Sequence, residues 1–377
     1  VAHERRPDLN ALTGLLSAAL SGDSSAGAQL ARLDLDVVCR AAHHHGVLPL
    51  LADRIPSWPA LPESFTSRFR DDASRHLAAD LGREAELRRC LTDLDRAGIP
   101  ALVMKGAHLA YRYYSRPDLR PRIDTDLLVT PDRRDDIDRI LIAAGYARRP
   151  EMSGELVTSQ AMYVKRQGDA VLHAVDVHWR VANPQVFAGV LTFDELSRDA
   201  ETLPELGSTA RGLSPVHALL MACVHRVAHH YDDDCLIWLY DIHLIASDLS
   251  ADEWRGFLTL ARDRSVVAVC RQGLATAREA FGTTWPALVV AEWTGQQPLG
   301  SEPTAAYLAG DRSLAEHLWI DLRALPSWSR RWQLIKEQVF PPARYMRDVY
   351  APASAAPLPV LYTRRVLHGA RKWLARF

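Results

Sequence analysis

Apolar residues recur at helical spacing along most of this chain. The period breaks between residues 99 and 205, and that interruption constrains the fold more than any other feature. Before it, helical patterns run through LNALTGLLSAAL, LDLDVVCRAAHHHGVLPLLADRI and RHLAADLGREAELRRCLTDLDRAGI, the last closed by Gly98 and Pro100. Pro56, Pro59 and Pro62 mark a loop among them. Within the interruption, Ala101 to Met104 form a short apolar run ending at Lys105-Gly106, and AHLAYRYY is helix-like. A polar loop, SRPDLRPR, then leads into IDTDLLVT, which alternates and turns fully apolar, as a strand does. Pro131 opens the helix PDRRDDIDRILIAAGY, whose early aspartates complement the helix dipole. MYVKRQ and VLHAVDVHWRVA read as further strands. Helical spacing returns at Ser214-Pro215, an N-cap followed by proline at N1, and continues to about residue 282.

The expectation is an α/β (α+β) core with a mixed sheet over 99–205, between a helical region at 1–98 and a helical bundle at 206–282. Residues 283–303 read as a linker containing proline and glycine. The rest of 283–377 reads as helical, ending in the basic amphipathic stretch TRRVLHGARKWLARF, expected to dock on its own protein.

A length of 377 residues allows two or three packed units. Basic and acidic side chains nearly cancel, 45 against 46, so no overall charge recruits nucleic acid or an anionic membrane. The five cysteines are scattered and form no CxxC pair, which points to reduced thiols rather than a disulfide framework or zinc knuckle. The opening VAHERRPDLN lacks the apolar stretch of a signal peptide, and no run of 18 apolar residues occurs. A soluble cytoplasmic protein without a membrane span is expected.

The strongest chemical signal is Asp124-Thr125-Asp126 followed by Leu-Leu-Val. On a strand, residues two apart share a face at about 6 to 7 Å. Carboxylates that close repel unless a cation lies between them, and their hard oxygens suit Mg²⁺, with Mn²⁺ as the alternative. The bland reading is a pair of solvated carboxylates at a strand's lip. Context favours the sharper one. Upstream, Lys105-Gly106 ends a strand and opens a helix, where backbone N–H groups and a lysine can meet a phosphate. Downstream, Asp176 sits in the alternating run VLHAVDVHW and supplies a third carboxylate for two-metal phosphoryl transfer. Alternation puts His178 on the Asp176 face and Trp179 on the other.

These pieces in order (LVMKGAHLAYRYY, LRPRIDTDLLV, the helix ending in AGY, VDVHW, LSPVHALLMACVHRVAHH and WLYDIHLI) resemble a bacterial family of uncharacterised nucleotidyltransferases. That family belongs to the superfamily sharing the DNA polymerase β catalytic fold. The resemblance covers roughly residues 35 to 280. It implies that Asp124 and Asp126 bind both metal ions and that Asp176 completes the catalytic site and helps deprotonate an acceptor hydroxyl. Gly106 is implied to face the phosphates, with Lys105 and Arg120 as phosphate contacts; His178, by its alternation with Asp176, is expected to contact nucleotide. The implied substrate is a nucleoside triphosphate, and the acceptor a small molecule, a protein side chain or an RNA end. The chain departs from the superfamily in reading Lys-Gly-Ala where Gly-Ser or Gly-Gly is usual. The 17 residues between Gly106 and Asp124 form a long connection.

Two other readings stand beside this one. A catalytically inactive nucleotide-binding or interaction protein that keeps the fold would explain the missing serine. A metal phosphohydrolase could use His225 and His229, four apart on one helix face, with His230 and Asp232 to Asp234 nearby, though no HExxH accompanies them. Arg116, Arg120 and Arg122 crowd the loop before Asp124 as a phosphate clamp or as a solvated loop. The His43-His44-His45 run reads as structural, cations at the end of a helix.

Overall fold

The computed structural model describes residues 9–58, 61–150, 152, 154–230, 235–294, 302–308, 312–350 and 356–374. Four helices open it: α1 (Leu9–Leu20), α2 (Ser24–Leu30), α3 (Leu35–His44) and α4 (Leu48–Arg54). Helix α3 ends at the histidine run, as expected, where Gly46 adopts a left-handed φ of 66° and separates it from α4. Helix α5 (Glu63–Arg96) then runs for 34 residues, about 50 Å, well beyond the stretch in which its pattern is plain. Phe65 and Phe69 at its start join the core of the N-terminal helices, and Leu87, Cys90, Leu91 and Leu94 at its end join the core beneath the sheet.

The sheet uses strands β1 (Leu102–Met104), β2 (Thr125–Leu128), β3 (Ala147–Arg148), β4 (Gln160–Gln167), β5 (Ala170–His178), β6 (Glu201–Thr202) and β7 (Arg211–Gly212). Their order is β3-β4-β5-β2-β1-β7-β6. Pairs β2–β5 and β1–β7 are parallel and the others antiparallel, the mixed sheet expected. Helices α6 (Lys105–Tyr113), α7 (Arg134–Ala143) and α8 (Phe193–Arg198) lie between strands.

Alternation divides the two faces of the sheet. Val103, Leu127, Val129, Val175 and Val177 pack against α5 and α7. Leu102, Met104 and Leu128 point the other way, into a core built by α9 (Pro215–His230), α10 (Leu236–Asp248), α11 (Ala251–Asp263) and α12 (Val267–Phe281). The expected linker is in part folded: α13 (Ala287–Thr294) buries Val289 in that same core. Helices α14 (Leu314–Ala324), α15 (Trp328–Val339), α16 (Ala343–Tyr350) and α17 (Leu358–Leu374) follow. Helix α17 packs against α16 through Leu361 and Met346, and Arg365 lies over Tyr345 and Tyr350. Arg376, from the same basic stretch, lies outside the described residues.

All five cysteines are free and buried. No described helix is long and apolar enough to cross a membrane.

Candidate metal centre and its surroundings

Strands β2 and β5 place Asp126 directly opposite Asp176. Adjacent strands lie about 4.8 Å apart, so the two carboxylates share one small space. His178, two residues beyond Asp176, shares its face. The three are buried, at 7%, 5% and 0% exposure, and offer one ligand atom each, all within 4.8 Å of one another. No other cluster of His, Cys, Asp and Glu converges in this way among the described residues. Asp124 stands outside this trio. Strand β2 begins at Thr125, so Asp124 sits one residue before it in the half-buried loop end. Burial and the neighbouring Asp126 charge push the Asp124 carboxyl up to about 6.

A cation of the protein's own reaches the trio. Lys105 Nζ lies 2.7 Å from Asp126 Oδ1 and 3.4 Å from His178 Nε2. Burial by itself would raise the Asp126 carboxyl, but the Lys105 ammonium and a hydrogen bond from His178 outweigh it and hold the group far below the usual range. Lys105 is also the turn residue. Its φ of 48° makes it one of two non-glycine residues in the left-handed region among those described. Gly106, expected in that turn, instead lies in the first turn of α6, where Arg120 Nη1 packs 3.4 Å from the position a Cβ would take. Helix α6 has no side-chain cap hydrogen bond, and its N-cap, Met104, pairs with Asp126 across the sheet.

The hydrogen bonds of His178 fix its tautomer. Nε2 lies 2.8 Å from Asp126 Oδ1, whereas Nδ1 has no partner. A buried orphan N–H is costlier than an orphan lone pair, so the hydrogen belongs on Nε2, donated to Asp126. Burial, then the Lys105 charge, lower the His178 pKa and keep the ring neutral. Wholly buried, it offers a nucleotide no surface and instead steadies Asp126.

Gln160 at the start of β4 completes the group, with Nε2 donating to Asp176 Oδ2 at 2.9 Å. Nothing in its sequence context marks it, since a polar residue at a strand end is ordinary.

The residues present suit a divalent cation. Two carboxylates give hard oxygens, and the imidazole adds a nitrogen that Mn²⁺ also accepts. The buried pair needs a counter-ion, and Lys105 supplies one formal charge against the two aspartates.

Arg120 has a different partner from the phosphate expected of it. Its Nε and Nη2 hold Asp241 of α10 at 2.8 to 3.1 Å, and Nη1 donates to the Pro121 carbonyl at 2.6 Å. Tyr114 donates to Asp241 as well. Arg122 donates to Asp80 at 3.0 Å and Tyr111 at 3.2 Å, and Arg116 pairs with Asp53 and Asp118. The arginine loop is therefore stapled on both sides to helices. Asp241 could have been found, because a lone acid in the apolar helix LIWLYDIHLI demands a buried cation.

His225, His229, His45 and His173 are set in packing, whereas His43 and His44 are exposed. His225 and His229 stack at 5.2 Å, with Trp238 edge-on to His225; Asp232 to Asp234 lie outside the described residues. His45 is buried against Thr13, and its carbonyl accepts from Ile237 N. On the far sheet face, His173 links Tyr146 and Thr125 at 2.7 and 2.9 Å, and burial lowers its pKa to about 3.

A search among curated proteins found no match. Residues 31–282 match the model of a family described as "Uncharacterised nucleotidyltransferase". That match takes in every strand and α3 to α12, with the whole Lys105–Asp126–Asp176–His178 group, and leaves out α1, α2 and everything after α12. With well over half of its length matched, the chain belongs to this nucleotidyltransferase family.

Proposed function

We propose that the protein transfers a nucleoside monophosphate from a nucleoside triphosphate to an acceptor hydroxyl and releases pyrophosphate, using Mg²⁺ or Mn²⁺. One observation carries this reading: Asp126 and Asp176 stand opposite each other on parallel strands, buried on one face, beside the uncapped start of α6. In it, residues 99–205 form the catalytic core.

Asp126 and Asp176 would hold the cation, with Asp124 as a further carboxylate at the rim. A divalent ion bound there neutralises the triphosphate and makes the acceptor hydroxyl more acidic. The acceptor oxygen attacks the α-phosphorus in line; its new bond forms as the bond to the bridging oxygen of pyrophosphate breaks. Asp176 helps take the hydroxyl proton. The α6 N–H groups meet the phosphates at the positive end of the helix dipole, as an anion site requires. Lys105 serves twice, as the counter-ion of Asp126 before loading and as a phosphate contact after it. Arg120, bound to Asp241, acts on phosphates through the shape of the loop.

The Lys105–Asp126 pair also favours a second reading, a protein that binds nucleotide without turnover, with the ammonium in the cation's place. Titration calorimetry with ATP, CTP, GTP and UTP, with and without Mg²⁺, separates the two. Triphosphate binding that requires Mg²⁺ and is lost in Asp126→Asn supports the enzyme. Binding indifferent to both metal and that substitution overturns it. Transfer of α-labelled nucleotide to acceptor mixtures, absent in Asp126→Asn, is the activity test.

A further inference from the structure

Helix α15 lies beyond the family-matched segment, yet it grips the loop that leads into β4. Glu337 Oε2 accepts from the backbone N–H groups of Leu156 and Val157 at 2.8 and 3.1 Å, and Oε1 accepts from Glu155 N–H at 3.1 Å. Three successive amides on one carboxylate make a charge-assisted clamp. It closes only over a glycine, because a Cβ at Gly154 would overlap the Glu337 carboxylate. Gln333, one turn earlier on α15, braces both sides by donating to Glu337 Oε1 at 2.9 Å and Glu155 Oε2 at 3.1 Å.

The clamped loop runs directly into the support of Asp176. The Ser159 N–H and hydroxyl both donate to Asn183 Oδ1, at 2.8 and 2.6 Å. Asn183 Nδ2 donates to Gln160 Oε1 at 3.2 Å, and Gln160 Nε2 donates to Asp176 Oδ2 at 2.9 Å. The chain has one direction. Each amide accepts on oxygen and donates from nitrogen, and turning either over would set donor against donor.

We propose that Gln160 is the positioning residue for Asp176 and that α15, through Glu337, holds Gln160 in place. The proposal rests on the reading of Asp126 and Asp176 as metal ligands. Ligating carboxylates are usually oriented by outer hydrogen bonds, and loss of one costs about 10- to 100-fold in metal affinity. The C-terminal helices would then be part of the catalytic frame rather than an appendage.

The test is Mn²⁺ affinity of the full chain, read by electron paramagnetic resonance, alongside the melting temperature. Gln160→Met keeps the side-chain length without the donor. It should weaken Mn²⁺ binding about 10- to 100-fold with the melting temperature unchanged. Glu337→Ala should weaken Mn²⁺ in the same direction while also loosening the loop. Unchanged affinity in Gln160→Met overturns the proposal, and a loss there without one in Glu337→Ala removes α15 from it. Wild-type protein that binds Mn²⁺ no better than Asp126→Asn overturns the metal reading itself, and this proposal with it.

Discussion

At the residue scale, Lys105 sets a local strain against a buried ion pair. A left-handed φ on a residue with a Cβ costs roughly 1–2 kcal/mol, whereas stranding a buried charge by deleting its partner costs about 3–5 kcal/mol. The pair wins. Lys105→Met should destabilise metal-free protein by a few kcal/mol on that scale, and added Mn²⁺ should restore more stability to the variant than to wild type. Thermal melts with and without the ion check this; a variant as stable as wild type in chelator would mean Asp126 needs no cation. Asp124 adds a pH dependence of definite sign. Its folded pKa of about 6 lies above the ordinary aspartate value of 3.8, so between those pH values the folded state holds more of this proton than the unfolded state does. This contribution to stability is full below pH 4 and is lost as pH rises through 6. In chelator, Asp124→Asn should therefore gain on wild type across that window, by about 3 kcal/mol at most, and hold a constant margin above it. A margin that does not change with pH would show that the Asp124 carboxyl titrates normally.

At the element scale, the part of the 17-residue connection between Gly106 and Asp124 that follows α6 is held chiefly by buried ion pairs. Arg120–Asp241 ties it to α10 and Arg122–Asp80 ties it to α5, both pairs nearly inaccessible. A buried pair adds little against an apolar substitute, but breaking one leaves a bare charge. Asp241→Ala should cost about 3–5 kcal/mol and Arg120→Ala a similar amount. The double variant should cost much less than the sum, because no charge is left unpaired. Denaturant unfolding of the four proteins gives that coupling; additive losses would mean the pair is not a unit. The same logic explains what the loop's sequence conceals. Three arginines in one loop before an acidic strand look alike in composition, and only the position of each partner helix distinguishes a staple from a free clamp.

At the scale of the whole molecule, the carboxylates lie on the sheet face that packs against α9 to α12, so the site forms where the sheet meets the helical bundle. The N-terminal helices reach the same bundle from the other side. Leu12, Leu16, Leu20 and Leu30 are buried in a core that includes Ile237 and Phe281, and Ser17 donates to the Ala280 carbonyl. Burying four leucines contributes roughly 6–12 kcal/mol in all, comparable to the net stability of a domain. A chain beginning at residue 31, where the family match begins, should therefore lose cooperative unfolding or melt far lower than the full chain. Calorimetry decides it, and an unchanged melting temperature would make α1 and α2 dispensable.

The sequence alone determined the class of fold and the acidic residues of one strand pair. Period 3.6 and period 2 are local properties, legible within a dozen residues, and they separated helices from strands. Alternation placed Asp176 and His178 on one face, and the order of motifs carried the family. What it could not supply was the partner of each charge. That Asp126 faces Asp176 depends on β5 pairing in parallel with β2. That Lys105 rather than Gly106 takes the left-handed turn depends on the ion pair Lys105 gains there. Gln160, Asp241 and Glu337 had no local signal strong enough to name their partners, because each acts on a residue 16 to 182 positions away. Such contacts exist only once the chain has closed on itself, since burial and charge are settled by neighbours in space, not in sequence.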